Sequence, residues 1–261
     1  MTISSVNESA VQRCYQALDG FFMQDTSTQG HSIRSFFGLI DDSAERWLNL
    51  EKHLQDLNAN AQPGESYKLF YFYRHGQSYH NVGKDKYASN EWKGHWGRQN
   101  GDDEITWGPD SDLTPAGIAQ ALRIKEEWDK ERDFGIPCPE KIYTSPLTRA
   151  LKTCDIAFDW IANKQKSVLV VENCREGNGI EEEFSEEDEV WVPDVRETKE
   201  AIAARARSVL DKVFDEEPQI TYVCFTIHGG IINAFLSILG LPKQSLSTGG
   251  VFPVIIRGYL D

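Results

Sequence analysis

The chain has 261 residues, 40% of them hydrophobic and 26% charged, with a net charge of −14. That length fits one large domain, or one domain with an appendage. The acidic balance disfavours anionic partners such as DNA, RNA and acidic lipid, and no apolar run approaches the ~18 residues of a membrane-crossing helix.

The start, MTISSVNESAVQRCYQ, has no basic stretch followed by an apolar one, so no secretory signal is read. The five cysteines (Cys14, Cys138, Cys154, Cys174, Cys224) are odd in number and lack CxxC spacing. They read as reduced thiols of a cytoplasmic protein, the nucleus being open as well. The six His show no metal-binding spacing, so neither a metal nor another cofactor is expected.

Residues 1–62 read as a helical leader packed on a main domain of residues 63–261. Within the leader, Asp42 and Glu45 have capping-box spacing, and Trp47, Leu50, Leu54 and Leu57 share one helical face. Pro63 and Gly64 then break the helix. From Lys68 the pattern alternates. KLFYFY is a strand, and LTPAGIAQALRIKEEWDK is a helix capped by Thr114 with Pro115 in its first turn. KIYTS is a strand, and PLTRALKTCDIAFDWIA is a helix whose buried stripe is Leu147, Leu151, Cys154, Phe158 and Ile161. SVLVV, ITYVCFTIH and VFPVIIRGYL are strands. ETKEAIAARARSVLDKVF and GGIINAFLSIL are helices, the latter closed by Gly240. Pro253 places the last strand at an edge or bulge. Continuous apolar strands alternating with helices predict an α/β fold, a three-layer α/β/α sandwich around a mostly parallel sheet.

Two insertions interrupt this pattern. Residues 82–112 are polar but hold Trp92, Trp96 and Trp107, which read as anchoring the loop to the domain, with a stacking platform for substrate as the sharper alternative. Residues 177–194 carry seven acids between Glu181 and Glu189, read as a solvated face that Trp191 pins. Overhanging a pocket, that segment would disfavour highly anionic substrates.

Ligands bind at the carboxyl ends of the strands in such sheets. Four strand ends deliver Arg74, His75 and Gly76; Ser145, Pro146 and Arg149; Arg175 and Glu176; and His228, Gly229 and Gly230. Two imidazoles with several guanidiniums suit a phosphate group. Helix N-termini after Gly76 and His228 add backbone N–H donors, which the glycines allow to approach closely. A neutral histidine held there can attack phosphorus, and arginines can stabilise the equatorial oxygens. Glu176 is the local candidate to protonate the leaving oxygen, although Glu172, Glu181 and Glu182 lie nearby.

RHGQSYHN, YTSPLTRALKT, CREGNG and TIHGGII, in that order, resemble the histidine phosphatase superfamily in its phosphoglycerate-mutase-like branch. The likeness runs from Lys68 to the C-terminus. In DxDLTPAG, VWVPDVRET and TGGV it is similar to fungal phosphomutase-like proteins. The resemblance implies His75 as the phosphorylated nucleophile, with Arg74, Arg149 and His228 binding the phosphoryl group and Asn81 donating a further hydrogen bond. Glu176 would be acid and then base, and no metal would be needed. Gly229 and Ser78 are candidate substrate contacts, Ser78 being equally suited to capping a helix. His80 and His95 read as bystanders or substrate contacts.

Phosphatase and mutase share these residues. The mutase pattern has a compact GWxD-like segment and LNERHYG at the acid. Here the Trp-bearing insertion and CREGNG stand in those places. The expectation is therefore a phosphatase acting on a small phosphomonoester. A phosphomutase is the alternative, and a non-catalytic interaction module is a reading of another class. Oligomeric state is left open.

Overall fold

The computed structural model describes residues 12–23, 33–162, 168–177 and 197–261. Among these, six strands form one sheet: β1 (Arg13–Leu18), β2 (Ser66–Arg74), β3 (Lys141–Thr144), β4 (Val168–Val170), β5 (Tyr222–Ile227) and β6 (Val251–Leu260). Their order is β1-β6-β2-β5-β3-β4. β2, β5, β3 and β4 run parallel, β6 lies antiparallel on β2, and β1 antiparallel on β6.

Side chains alternate across a strand, and the aromatic run of β2 uses this. Phe70 and Phe72 join Phe225 and Tyr143 under α6 (Lys199–Asp215) and α7 (Gly229–Ile238). Leu69, Tyr71 and Tyr73 point the other way. There they meet Trp47 and Leu54 of α1 (Arg46–Ala59), Trp128 of α4 (Pro115–Arg132) and Phe158 of α5 (Thr148–Ala162). Two apolar layers sandwich the sheet, which gives the α/β/α architecture and explains why β2 is apolar on both faces. Thr114 caps α4 as its sequence signature requires, its side chain accepting from the Gly117 N–H.

The leader differs from its reading. It is not helical throughout, because Arg13–Leu18 pairs as β1 with Ile255–Leu260. The outer backbone edge of β6 supplies the partners, and Tyr15 fills a place beside Phe214, with ring centroids 5.2 Å apart. The Asp42–Glu45 capping box does not form. α1 starts later, at Arg46, with Glu45 at the N-cap and no side-chain cap bond. Asp41 instead accepts from Ser43 N (2.9 Å) and Asn49 Nδ2 (2.8 Å). Glu131, buried on α4, ties α1 to the domain by accepting from Arg46 Nε (2.8 Å) and Trp47 Nε1 (2.7 Å). Phe37 closes this face. It is wholly buried among Tyr71, Tyr73, Trp47 and Trp128, on a left-handed backbone (φ 53°).

Pro253 sits opposite Tyr71 of β2, past Ile255, where the β1 pairing stops. The strand is locally an edge there, so the missing N–H costs no ladder bond. The five cysteines are free thiols, with Cys154, Cys174 and Cys224 buried. No helix among the described residues is long and apolar enough to cross a membrane.

After β2 come α2 (Tyr79–Lys86) and α3 (Ser89–Gly94), which open the insertion of residues 82–112. Its tryptophans hold the loop to itself. Trp92 and Trp107 are buried with centroids 5.3 Å apart, Trp96 stacks on Tyr87 at 4.4 Å, and Trp107 Nε1 donates to Gln99 O (2.7 Å). The tryptophans thus brace the insertion internally rather than fixing it to the main core, and Trp92 reaches out of it to His80, edge-on at 5.3 Å. The acidic run Glu181–Glu189 and Trp191 lie outside the described residues.

Candidate active site

The ends of β2, β3 and β5 open on a cavity of about 1070 Å³, lined among others by Arg74, His75, Asn81, Arg149, Glu176 and Gly229. His75 is held by the strand end itself, its N–H donating to Ile227 O (2.9 Å). Its ring Nδ1 lies 2.6 Å from Gly76 O. A carbonyl only accepts, so Nδ1 carries the proton and Nε2 carries the lone pair. Arg149 Nε, 3.3 Å away, points its hydrogen at that Nε2. Burial first, then the Arg149 and Arg74 guanidiniums, hold the His75 imidazole well below its ordinary pKa, so it is neutral.

His228 follows β5 and occupies the N-cap position of α7, without a side-chain cap bond. Its Nε2 lies 2.8 Å from Ser145 Oγ, and its ring is 4.9 Å from that of His75. Burial, Arg149 and His75 depress its pKa as well. The 3.9 Å approach of His228 Nδ1 to Glu176 Oε2 is thus a contact with a neutral ring rather than an ion pair. Arg74 Nη1 donates to Leu246 O (2.6 Å), while its Nε is buried with no acceptor among the described residues. A buried donor without a partner is costly, and an entering anion would satisfy it.

These depressed imidazoles have a consequence for stability. The unfolded chain takes up protons on both rings below about pH 6.5, where the native chain does not. Stability is therefore fully present above that pH and declines as pH falls through it. Each ring adds up to about 1.4 kcal/mol per pH unit to the slope. Urea unfolding between pH 7 and 5 should show a shallower decline in His228→Asn than in the parent. An unchanged slope would contradict neutral burial of this ring.

Glu176 follows a short 3-10 turn (Glu172–Cys174) and keeps its side chain 29% exposed at the cavity wall. Glu172 instead turns to Arg175 Nε (2.8 Å), and neither is among the cavity-lining residues. A β-carbon on Gly230 would displace Glu176 Oε1 from its place, so the glycine leaves room for that carboxyl group. Gly76 has a reason other than access to ligand, since its β-carbon would strike the backbone carbonyl of Gly117 on α4.

The structure places Ser78 away from the cavity lining. It is fully buried, and its N–H and Oγ both donate to Asn81 Oδ1 (3.0 and 3.1 Å) in a cap of α2. Asn81 does line the cavity, and with Oδ1 engaged its Nδ2 is what it can offer a ligand. His80 lines the cavity as well. His95 does not, and packs on Trp96 with centroids 4.8 Å apart.

The backbone support of Glu176 has no signal in the sequence. Arg205 on α6 forks onto Glu197 (2.6 and 2.7 Å) and reaches Asn173 O (2.9 Å) and Arg175 O (3.2 Å), the backbone just before Glu176. Arg205→Met should lower kcat by about ten-fold while leaving KM near its parent value, because a small displacement of a reacting group is costly. Arg205→Lys should recover only part of the loss, one ammonium being unable to reproduce the fork. A raised KM with unchanged kcat would contradict a role through Glu176.

A neutral imidazole whose Nε2 lone pair faces Arg149, with a second guanidinium and a carboxyl group beside it at the strand ends of an α/β/α sandwich, has the make-up of a phosphoryl-transfer site. Residues 70–253 match the family described as Histidine phosphatase superfamily (branch 1). The chain belongs to the histidine phosphatase superfamily. It is 29% identical to a protein named "Probable phosphoglycerate mutase" from Arthroderma benhamiae, over 98% of this chain and 89% of that one. It is 32% identical to "Phosphomutase-like protein 3" of Candida albicans, over 83% of this chain and 73% of that one. Among solved structures, a mycobacterial glucosyl-3-phosphoglycerate phosphatase shares the fold at a TM-score of 0.50 and 21% identity, covering 75% of this chain and 97% of the other.

Proposed function

We propose that the protein is a phosphatase that hydrolyses a small phosphomonoester through a phosphohistidine on His75. The observation that carries this reading is the pairing of His75 Nδ1 with Gly76 O, which leaves Nε2 as a neutral nucleophile under Arg149. An entering phosphoryl group would draw the donors of Arg149 onto its oxygens and release Nε2. Nε2 then attacks phosphorus in line, the P–O bond to the leaving group breaks, and the Glu176 carboxyl gives its proton to the departing oxygen. Arg74, Arg149, His228 and the first N–H groups of α7 hold the equatorial oxygens. In the second half, water attacks the phosphohistidine, Glu176 takes its proton, and phosphate leaves with the imidazole neutral again.

The part-exposed carboxyl of Glu176 favours hydrolysis over transfer, since water can reach the base while His75 itself is 2% exposed. The deciding assay supplies 3-phosphoglycerate with 2,3-bisphosphoglycerate. Release of inorganic phosphate without 2-phosphoglycerate is the expected outcome, and efficient isomerisation would replace this reading by a mutase. Inertness toward every phosphomonoester across a broad panel and pH range would favour an interaction module.

A further inference from the structure

We propose that the mouth of the cavity is a second anion-binding subsite, formed by Lys84, Lys93 and Lys243, and that the substrates are small molecules carrying at least two phosphate groups. This rests on the phosphatase reading and deepens it by naming the substrate class.

The three lysines come from separate places in the fold, α2, α3 and the segment between α7 and β6, yet line the same cavity as His75. Among the described residues no carboxylate forms an ion pair with any of them. Several other lysines are paired. Lys86, also on α2, is taken up by Asp102 and Glu104, each at 2.7 Å, and Lys125 and Lys152 each hold an aspartate at 2.5 Å. In a chain of net charge −14, three exposed ammonium groups without such partners, gathered on one cavity, stand out against the acidic surroundings.

The cavity wall as a whole carries five cationic side chains, Arg74 and Arg149 besides these lysines, against the carboxylates of Asp85 and Glu176. Arg74 and Arg149 already account for the phosphoryl group at His75, so the lysine charge is surplus to the transferred group. A cavity of about 1070 Å³ also exceeds what one phosphate fills and accommodates a ligand of metabolite size or larger. Lysine ammoniums are compact charges on flexible stems, without the fixed fork of arginine. They suit a second phosphate whose distance from the first differs between substrates, and they offset locally the repulsion of the acidic chain.

The test compares fructose 6-phosphate with fructose 1,6-bisphosphate. Calorimetric binding to full-length His75→Ala, which cannot turn either over by the proposed route, reads the subsite independently of catalysis. The bisphosphate should bind tighter by on the order of ten-fold or more. Adding Lys84→Ala, Lys93→Ala and Lys243→Ala should bring that ratio close to one, and raising the salt should compress it. Equal binding of the two sugars, or a ratio the lysine substitutions leave intact, would overturn the proposal. In the parent chain, kcat/KM for the bisphosphate relative to p-nitrophenyl phosphate should fall with the same substitutions. A chain that keeps the lysine-dependent binding ratio but hydrolyses neither sugar nor p-nitrophenyl phosphate would sink the phosphatase reading while supporting the subsite.

Discussion

His75→Ala should lower kcat/KM for p-nitrophenyl phosphate by about 10⁴-fold or more, the scale seen when a covalent nucleophile is removed. The expectation follows from the hydrogen bonding of the ring. Gly76 O fixes the proton on Nδ1, burial and two guanidiniums keep the ring neutral, and Arg149 faces the lone pair. Arg149 and His228 remain in the variant, so phosphate analogues should still bind, and the loss should fall on kcat rather than on affinity. Steady-state kinetics with vanadate or phosphate inhibition checks both halves. A variant that retains a tenth of the parent activity would place the nucleophile elsewhere.

The second large effect concerns the proton. Glu176→Gln keeps the shape of the side chain but can neither protonate a leaving oxygen nor activate water, which should cost about 10²–10⁴-fold in kcat for an alkyl phosphate. A nitrophenolate leaves without help, so its bond cleavage should suffer less than that of a sugar phosphate. Phosphoenzyme breakdown, which needs the base for either substrate, should then limit turnover of p-nitrophenyl phosphate. A pre-steady-state burst of nitrophenol in Glu176→Gln is therefore expected. Equal losses for both substrates with no burst would mean that another group handles the proton. Gly230 offers a related check: because a β-carbon there would strike Glu176 Oε1, Gly230→Ala should reproduce part of the Glu176→Gln defect.

Much of this arrangement is legible in the sequence because it is local. KLFYFYRHG reads as a strand ending in a charged turn. The alternation of its aromatics over both faces follows from the pleat. The gathering of His75, Arg149, Glu176 and His228 follows from the rule that parallel strands open their carboxyl ends on a common crevice. What escaped is long-range. RCYQAL has no strong strand pattern, and it becomes β1 because β6 presents an unpaired edge and Phe214 a surface for Tyr15. Arg205 meets the backbone just before Glu176 across 30 and 32 residues of chain, a contact no spacing announces.

Two local readings failed for an equally physical reason. Asp42 and Glu45 have the spacing of a capping box, but Asp41 takes the nearby donors and α1 starts at Arg46. Gly76 invites a reading as room for ligand, whereas the structure shows it making room for the backbone of Gly117, which seats α4 against the turn that carries His75. The lysines at the cavity mouth were invisible for a third reason. Lys84 and Lys86 are indistinguishable in sequence, and only the folded insertion assigns Lys86 to Asp102 and Lys84 to the cavity.

The most direct test is to trap the intermediate. The parent chain mixed with a phosphate-labelled substrate and quenched in base within milliseconds should carry acid-labile label, and peptide mapping should place it on Nε2 of His75. Label on any other residue, or release of phosphate at full rate with no labelled protein at any time, would contradict a phosphohistidine mechanism at this site.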